Sequence, residues 1–169
     1  MENYTIVELL PATAGQYLIR SLAEEKETII EVGAVLPALQ QLLFELTTNK
    51  VVLGEVELQQ LLANGQSRLF LLKVGAEFAG MLTLCSYLAP TGRKQWIEDV
   101  VVDHRYRGRS LGKRLVEAAV AVARQNQGSQ LLLTSRPSRV AANALYRSLG
   151  FEQRETNVYR MKFEDDSCL

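Results

Sequence analysis

The chain has 169 residues, 47% of them hydrophobic, which is enough for one domain with a substantial core. Nineteen Lys and Arg residues balance nineteen Asp and Glu residues, and this zero net charge argues against a dedicated nucleic-acid-binding protein, which normally carries a basic excess. Two cysteines and one histidine argue against a disulfide framework or a His/Cys metal cluster, and the lack of a signal peptide or an apolar run of about 18 residues predicts a cytoplasmic protein without a membrane span.

The pattern of apolar residues in the first 65 positions predicts short strands and helices. Leucines recur at helical spacing between residues 39 and 46, and Pro37 suits the first turn of that helix. In chain order we expect a strand over 4–9, a helix over 14–25, a strand over 28–32, a helix from 37 and a helix over 55–63.

Beyond residue 67 the pattern becomes typical of strands, and two apolar runs around Gly75-Ala76 predict a β-hairpin. We expect hairpin strands over 68–74 and 77–87, a strand over 94–103, a helix over 108–125, a strand over 131–135, a helix over 139–149 and strands over 151–154 and 158–163. These elements predict one mixed α+β domain over 27–165, with an N-terminal appendage over 1–26 and a tail over 166–169.

Positive charge is concentrated where the helix over 108–125 is expected to begin. A helix N-terminus already carries the positive end of the helix dipole, so each cation there is unfavourable by roughly 0.3–1 kcal/mol. No acidic residue interrupts the run, and Gly108 and Gly112 let a ligand approach the backbone. The segment therefore predicts a bound anion such as phosphate. The cations are Arg105, Arg107, Arg109, Lys113 and Arg114.

The spacing of this segment excludes two common phosphate-binding motifs. Only three residues separate Gly108 from Gly112, and Arg114 follows Lys113 where a Walker motif requires Ser or Thr. The dinucleotide fingerprint G-x-G-x-x-G is also missing. A nucleotide- or nucleic-acid-binding module remains as an alternative, but the zero net charge and the lack of interleaved aromatic residues argue against it.

Three blocks in order resemble the GNAT superfamily of N-acetyltransferases. Residues 107–112 are similar to the family's Q/R-x-x-G-x-G/A motif, with Ser110 in place of the usual glycine. Residues 143–152 resemble its N-x-x-x-Y-x-x-x-G-F signature, and the strand over 97–103 precedes the loop as in the family. The resemblance implies a largely antiparallel central sheet flanked by helices and splayed at an acetyl-CoA site. At Ser110 it implies a backbone angle acceptable to an L-residue.

The resemblance also implies the residues that contact acetyl-CoA, the expected co-substrate. The strand backbone would pair with the pantetheine arm through Val100 and Val102, and an N–H near Val101 would donate to the thioester oxygen. Asn143 would bind the cofactor arm or a water. The pyrophosphate would be held by Arg107, Gly108, Arg109, Ser110, Leu111, Gly112 and Lys113.

For catalysis, the resemblance assigns Tyr146 as the acid that protonates the departing thiolate. Burying an acidic side chain in a Val-rich strand costs free energy, so the acids of this strand are expected to have a function. The general base is therefore left open between Glu98, which is the first choice, and Asp99. His104 is a third, weaker candidate.

The expected acceptor is a primary amine of a small molecule or peptide. Residues 97–102 are also similar to the corresponding strand of glucosamine-6-phosphate N-acetyltransferases, so an amino-sugar phosphate is one candidate. A non-catalytic acyl-CoA sensor on the same fold is the alternative function. The resemblance also leaves open a homodimer.

Overall fold

The computed structural model describes residues 3–24, 26–47, 51–126 and 128–163. The contacts divide the chain into two compact units, 1–134 and 135–169, each of which is described by itself. Among the described residues, no helix has both the length and the apolar character needed to cross a bilayer. The predicted tail, 166–169, lies outside the described residues.

The first unit is built on a seven-stranded sheet in the order β3-β2-β1-β4-β5-β6-β7. All neighbouring strands are antiparallel except β6 and β7, which are parallel, so the predicted α+β class with a largely antiparallel sheet is confirmed. The strands are β1 (Tyr4–Pro11), β2 (Gln16–Ser21), β3 (Glu27–Glu31), β4 (Ser67–Val74), β5 (Glu77–Ala89), β6 (Gly92–Val102) and β7 (Gln130–Leu133).

The N-terminal segment contributes strands to this sheet, and the helix predicted over 14–25 is wrong. Tyr17 and Ile19 are buried while Arg20 is exposed, which is the alternation of a strand, and β2 pairs with both β1 and β3. The helix was predicted from two leucines four residues apart, Leu18 and Leu22, and two apolar residues do not define a period. The division of the chain at residue 26 stays a prediction.

Three helices accompany the sheet in the first unit: α1 (Val32–Leu46), α2 (Glu55–Ala63) and α3 (Leu111–Ala123). The apolar sides of α1 and α2 share one core cluster with alternate residues of β4 and β5, including Leu69, Leu71 and Met81. The intervening Phe70 and Leu82 are also buried but lie outside that cluster. Because α3 contacts β4, β5 and β6, it covers this opposite face of the sheet.

The described part of the second unit, residues 135–163, contains one helix, α4 (Val140–Ser148). Gly150 follows it at φ 87°, where glycine is favoured, and its N–H donates to the Arg147 carbonyl at 3.1 Å. The strands predicted over 151–154 and 158–163 are wrong, since no strand occurs over 151–163. A strand needs a neighbouring strand for its backbone hydrogen bonds, and the described part of this unit contains none.

Candidate active site

β6 contains an extra residue in its centre, at the position of the two predicted acids. Glu98 lies opposite Thr83 and Val101 lies opposite Met81, so two residues of β6 face the single residue between Thr83 and Met81 on β5. Asp99 takes φ 54°, in the left-handed region that Asp tolerates better than most residues. This bulge interrupts the regular pairing of β6 with β5 and bends the strand at this point. No glycine or proline occurs over residues 97–103 to mark it.

Beyond the bulge, no strand among the described residues pairs with one edge of β6. The pairing of β6 with β7 runs only from Lys94 to Ile97, while β6 continues for five more residues to Val102. The ladder between the two strands therefore ends just before the two carboxylates, where β7 itself ends. A ladder that ends here leaves the backbone of β6 open, as the splayed sheet implied by the resemblance requires.

The backbone of the residues after the bulge alternates between the two edges of β6. A Cβ added to Gly80 would lie 2.8 Å from the Val101 carbonyl oxygen, so the backbone of Val101 faces β5. Consecutive strand residues point their backbone groups to opposite edges, so those of Val100 and Val102 face the open edge. In agreement, the Val102 carbonyl accepts a 2.8 Å hydrogen bond from Arg107 Nε.

The loop from β6 to α3 ends in backbone conformations that expose donors. Gly108 and Ser110 both have positive φ, 78° and 58°, so Ser110 does not have the ordinary backbone angle that was expected. Ser110 precedes α3 but its side chain does not cap the helix. The first backbone bond of α3 runs from Arg114 N to Ser110 O at 3.2 Å. The three preceding N–H groups, of Leu111, Gly112 and Lys113, have no partner among the described residues.

Most cations of this loop are paired, which corrects the interpretation that no acid compensates them. Arg105 donates to Asp103 at 2.8 Å, and this interaction holds the pKa of the Asp103 carboxyl below its usual range. Arg105 also pairs with Glu77, Arg107 with Glu45 and Arg114 with Glu117. Asp103 lies two residues before Arg105, whereas the other acids come from other elements or from later in α3, so the basic run itself did not show them. Lys113 has no ion pair within the part of the chain described.

Glu45, in the last turn of α1, is a residue of this site that the sequence analysis missed. Its side chain is 12% exposed and accepts from the backbone N–H of His104 at 2.9 Å and from Arg107 at 2.8 Å. An acid in the last turn of a helix opposes the dipole by roughly 0.3–1 kcal/mol, and this misplaced charge was the signal available in the sequence.

A metal ion could in principle be held by Glu45, Asp103 and His104, whose ligand atoms lie within 4.8 Å of one another. The carboxylates, however, already accept hydrogen bonds from Arg107 and Arg105. These arginines supply the positive charge that a metal ion would bring, so the cluster is better described as an ion-pair network.

The two acids at the bulge, Glu98 and Asp99, both have raised pKa values. Burial, and secondly the Asp99 charge, raises the pKa of Glu98 above its ordinary value, and burial raises the pKa of Asp99. Both side chains are still reached by solvent. Glu98 shares a sheet face with Thr83 and, through it, with Leu69 of the α1 and α2 core, so it lies on the side of the sheet that these helices cover.

Two predicted site residues, Asn143 and Tyr146, belong to the second unit. The Asn143 side-chain amide donates to the Arg136 carbonyl at 2.9 Å and so closes the turn before α4. Tyr146 is partly buried, packs edge-on against Phe151 with 6.0 Å between ring centroids, and has its pKa raised by burial. The phenol therefore stays protonated at neutral pH and can act as a proton donor.

Comparison with known proteins agrees with this geometry. The model of a family described as acetyltransferase (GNAT) matches residues 36–151. No curated protein sequence matches the chain.

Several solved structures share the fold. An acetyltransferase of Trypanosoma brucei is 26% identical with a TM-score of 0.63, over 76% of this chain and 92% of that one. An aminoglycoside acetyltransferase from an uncultured soil sample, in complex with trehalose, is 21% identical with a TM-score of 0.65, over 76% and 91%. Glucosamine-6-phosphate N-acetyltransferase of Arabidopsis thaliana is 19% identical with a TM-score of 0.65, over 78% and 94%.

Proposed function

The chain belongs to the acetyltransferase (GNAT) family and is an N-acetyltransferase, and from this premise we propose that it transfers the acetyl group of acetyl-CoA to a primary amine of a small molecule or peptide. The observation that carries the proposal is the set of three N–H groups at the start of α3 that have no partner among the described residues, in a loop that Arg107 joins to the open edge of β6 through the Val102 carbonyl. Such groups at a helix N-terminus form an anion site, and the open edge can accept an extended chain.

In this proposal the loop holds the pyrophosphate of coenzyme A. The N–H groups of Leu111, Gly112 and Lys113 donate to it, and the Lys113 ammonium, which has no ion pair within the described residues, neutralises part of its charge. The residues from Arg107 to Ser110 form the part of the loop along which the pyrophosphate approaches these N–H groups. The pantetheine arm lies along β6, where the backbone groups of Val100 and Val102 face the open edge.

The acceptor amine attacks the thioester directly, without an acyl-enzyme. Burial, with smaller contributions from the charges of Glu98 and Asp99, raises the pKa of Cys85, so the nearby cysteine remains a thiol and is a poor nucleophile. Glu98 accepts the proton of the amine, and Asp99 is the second choice. Because the backbone of Val101 faces β5, the N–H of Val100 is the better donor to the acyl oxygen.

Tyr146 completes the reaction by protonating the departing thiolate, for which its phenol is available in the protonated form. Asn143 keeps the role of a contact to the cofactor arm or a water. Both assignments rest on the family motif.

The acceptor is best sought first among amino sugars. The aminoglycoside and glucosamine-6-phosphate enzymes share this fold, and the strand over 97–102 resembles the latter. An amine library watched by release of free thiol would identify the acceptor, and the same preparation would show whether the protein is a homodimer.

Ligand-dependent thermal stability tests the donor. At about a hundred times its dissociation constant, a ligand stabilises the folded state by about 2.7 kcal/mol, so acetyl-CoA and CoA should raise the Tm while ATP and NAD should not. Gly112→Val should abolish the shift because its side chain would enter the anion site, whereas Ala118→Val, later in the same helix, should keep it. A wild-type protein that is not stabilised by either form of coenzyme A would refute the proposal.

A further inference from the structure

The carboxylate of Glu45 joins the end of α1 to the turn that leads into the phosphate loop. One oxygen lies 2.7 Å from His104 Nδ1, and the other accepts from the His104 N–H at 2.9 Å and from Arg107 at 2.8 Å. Glu45 therefore holds both the backbone and the side chains of the turn. Three hydrogen bonds converge on one residue of a different element.

Arg107 is fixed from two sides by this arrangement. Its Nε donates to the Val102 carbonyl at the end of β6, and its terminal nitrogen donates to Glu45. At the other end of the loop, Leu111 is 3% exposed and anchored in the core. The loop between these two anchors carries the positive φ angles of Gly108 and Ser110, and it ends in the three unpartnered N–H groups.

Glu45 also has an electrostatic role in this arrangement. A bare carboxylate beside the loop would repel a phosphate, but Glu45 is largely buried and its charge is offset by the Arg107 guanidinium. The same ion pair takes the Arg107 side chain away from direct phosphate binding. Arg107 then contributes to the anion site through the shape of the loop.

We propose that Glu45 is a positioning residue for coenzyme A: it holds Arg107 and the 104–107 turn so that the N–H groups at the start of α3 are preorganised for the pyrophosphate. This inference rests on the proposed function. It predicts that Glu45 acts on the binding of the donor and leaves the chemical step unchanged.

The test compares Glu45→Gln with Glu77→Gln. Glu77 also pairs with an arginine of this turn, Arg105, and interacts with Tyr106, but it is 54% exposed and, among the described residues, has no ion pair with Arg107. Glu45→Gln should raise the Kd for CoA and the KM for acetyl-CoA about tenfold, while kcat at saturation stays within about twofold. Glu77→Gln should leave all three values at the wild-type level.

A double-mutant cycle protects the test against a merely structural effect. If Glu45 acts through Arg107, then Glu45→Gln should weaken CoA binding far less in an Arg107→Gln background than in the wild type. The full tenfold effect in both backgrounds would overturn the inference, as would a variant that loses stability in urea but binds CoA normally.

A wild-type protein without CoA affinity would overturn the proposed function and this inference together. If the wild type binds CoA and Glu45→Gln binds equally well, only the inference fails.

Discussion

The side-chain amide of Gln95 donates a 3.0 Å hydrogen bond to the backbone carbonyl of Ala123, joining the centre of β6 to the last turn of α3. The same nitrogen donates to Ser129 Oγ at 2.6 Å, and the amide oxygen accepts from Asn126 at 3.1 Å. Gln95 is 1% exposed, and its amide thus holds the C-terminal end of α3. It also holds Ser129 at the start of β7, at the end of the β6–β7 ladder that is farther from the carboxylates.

Replacing this amide should destabilise the fold. Gln95→Leu keeps an apolar side chain of similar size but leaves buried polar groups around Ala123 without a donor, which should lower the free energy of unfolding by about 2–3 kcal/mol. Urea denaturation would measure the loss. The control, Gln16→Leu, removes an exposed bond to Glu31 and should change stability by less than about 0.5 kcal/mol. Equal losses in both variants would contradict the special role of Gln95.

Glu98→Gln should remove the general base. We expect kcat to fall about a hundredfold, and the decline of the wild-type rate at acidic pH to disappear, because the carboxylate must be ionised to accept a proton. Burial raises the pKa of Glu98. As the pH is lowered, the wild-type rate should therefore begin to decline at a pH higher than the ordinary pKa of a glutamate. A pH–rate profile of the variant beside Asp99→Asn checks the assignment. If only Asp99→Asn loses this acidic decline, the base is Asp99.

The same two acids should make stability depend on pH. Their pKa values are raised in the folded state, so ionisation opposes folding, and the stability present at low pH is lost as the pH rises through these raised values. Glu98→Gln and Asp99→Asn should therefore be more stable than the wild type near about pH 7 but not near about pH 3.5. Thermal unfolding at the two pH values measures this, and variants that are less stable at neutral pH would show that the carboxylates are favourably paired.

Tyr146→Phe should lower turnover without affecting the binding of coenzyme A. The variant retains the ring and its contact with Phe151 but loses the phenol proton, so we expect kcat to fall by about a hundredfold and the Kd for CoA to change little. Steady-state kinetics and calorimetry separate the two effects. Tyr159→Phe, in which the ring is 89% exposed, is the matched control. A weaker Kd with unchanged kcat would assign Tyr146 to binding.

Ser110→Gly should stabilise the loop. An L-residue at φ 58° is strained by roughly 1–2 kcal/mol, and glycine relieves this strain while losing somewhat more entropy on folding. The net gain should be up to about 1 kcal/mol, with CoA affinity retained. Ser67→Gly, in β4 where φ is not positive, should instead be destabilising. A loss of stability on Ser110→Gly would mean that the serine side chain has a contact of its own.

Local patterns were sufficient to predict most of the elements. The hairpin of β4 and β5, the strand β6, and the helices α2, α3 and α4 were predicted within a few residues, because each has a period of its own or a terminal glycine. The strand β2 was missed because the residues around Leu18 were too few to establish a period. The strands over 151–154 and 158–163 were not found because pairing depends on a neighbour, which local alternation does not supply.

The sequence by itself determined the long helix and predicted an anion site before it, since glycines, cations and helical periodicity are all local properties of residues 107–122. Only the tertiary structure decided which charges remain available there. Glu45 and Glu77 reach the loop from distant parts of the chain and pair with Arg107 and Arg105, and no spacing rule could have foreseen this. Likewise, the bulge at Asp99 and the separation of β6 from β7 depend on the registers of neighbouring strands. Hydrogen bonds between elements fix these registers, and they exist only once the chain has folded.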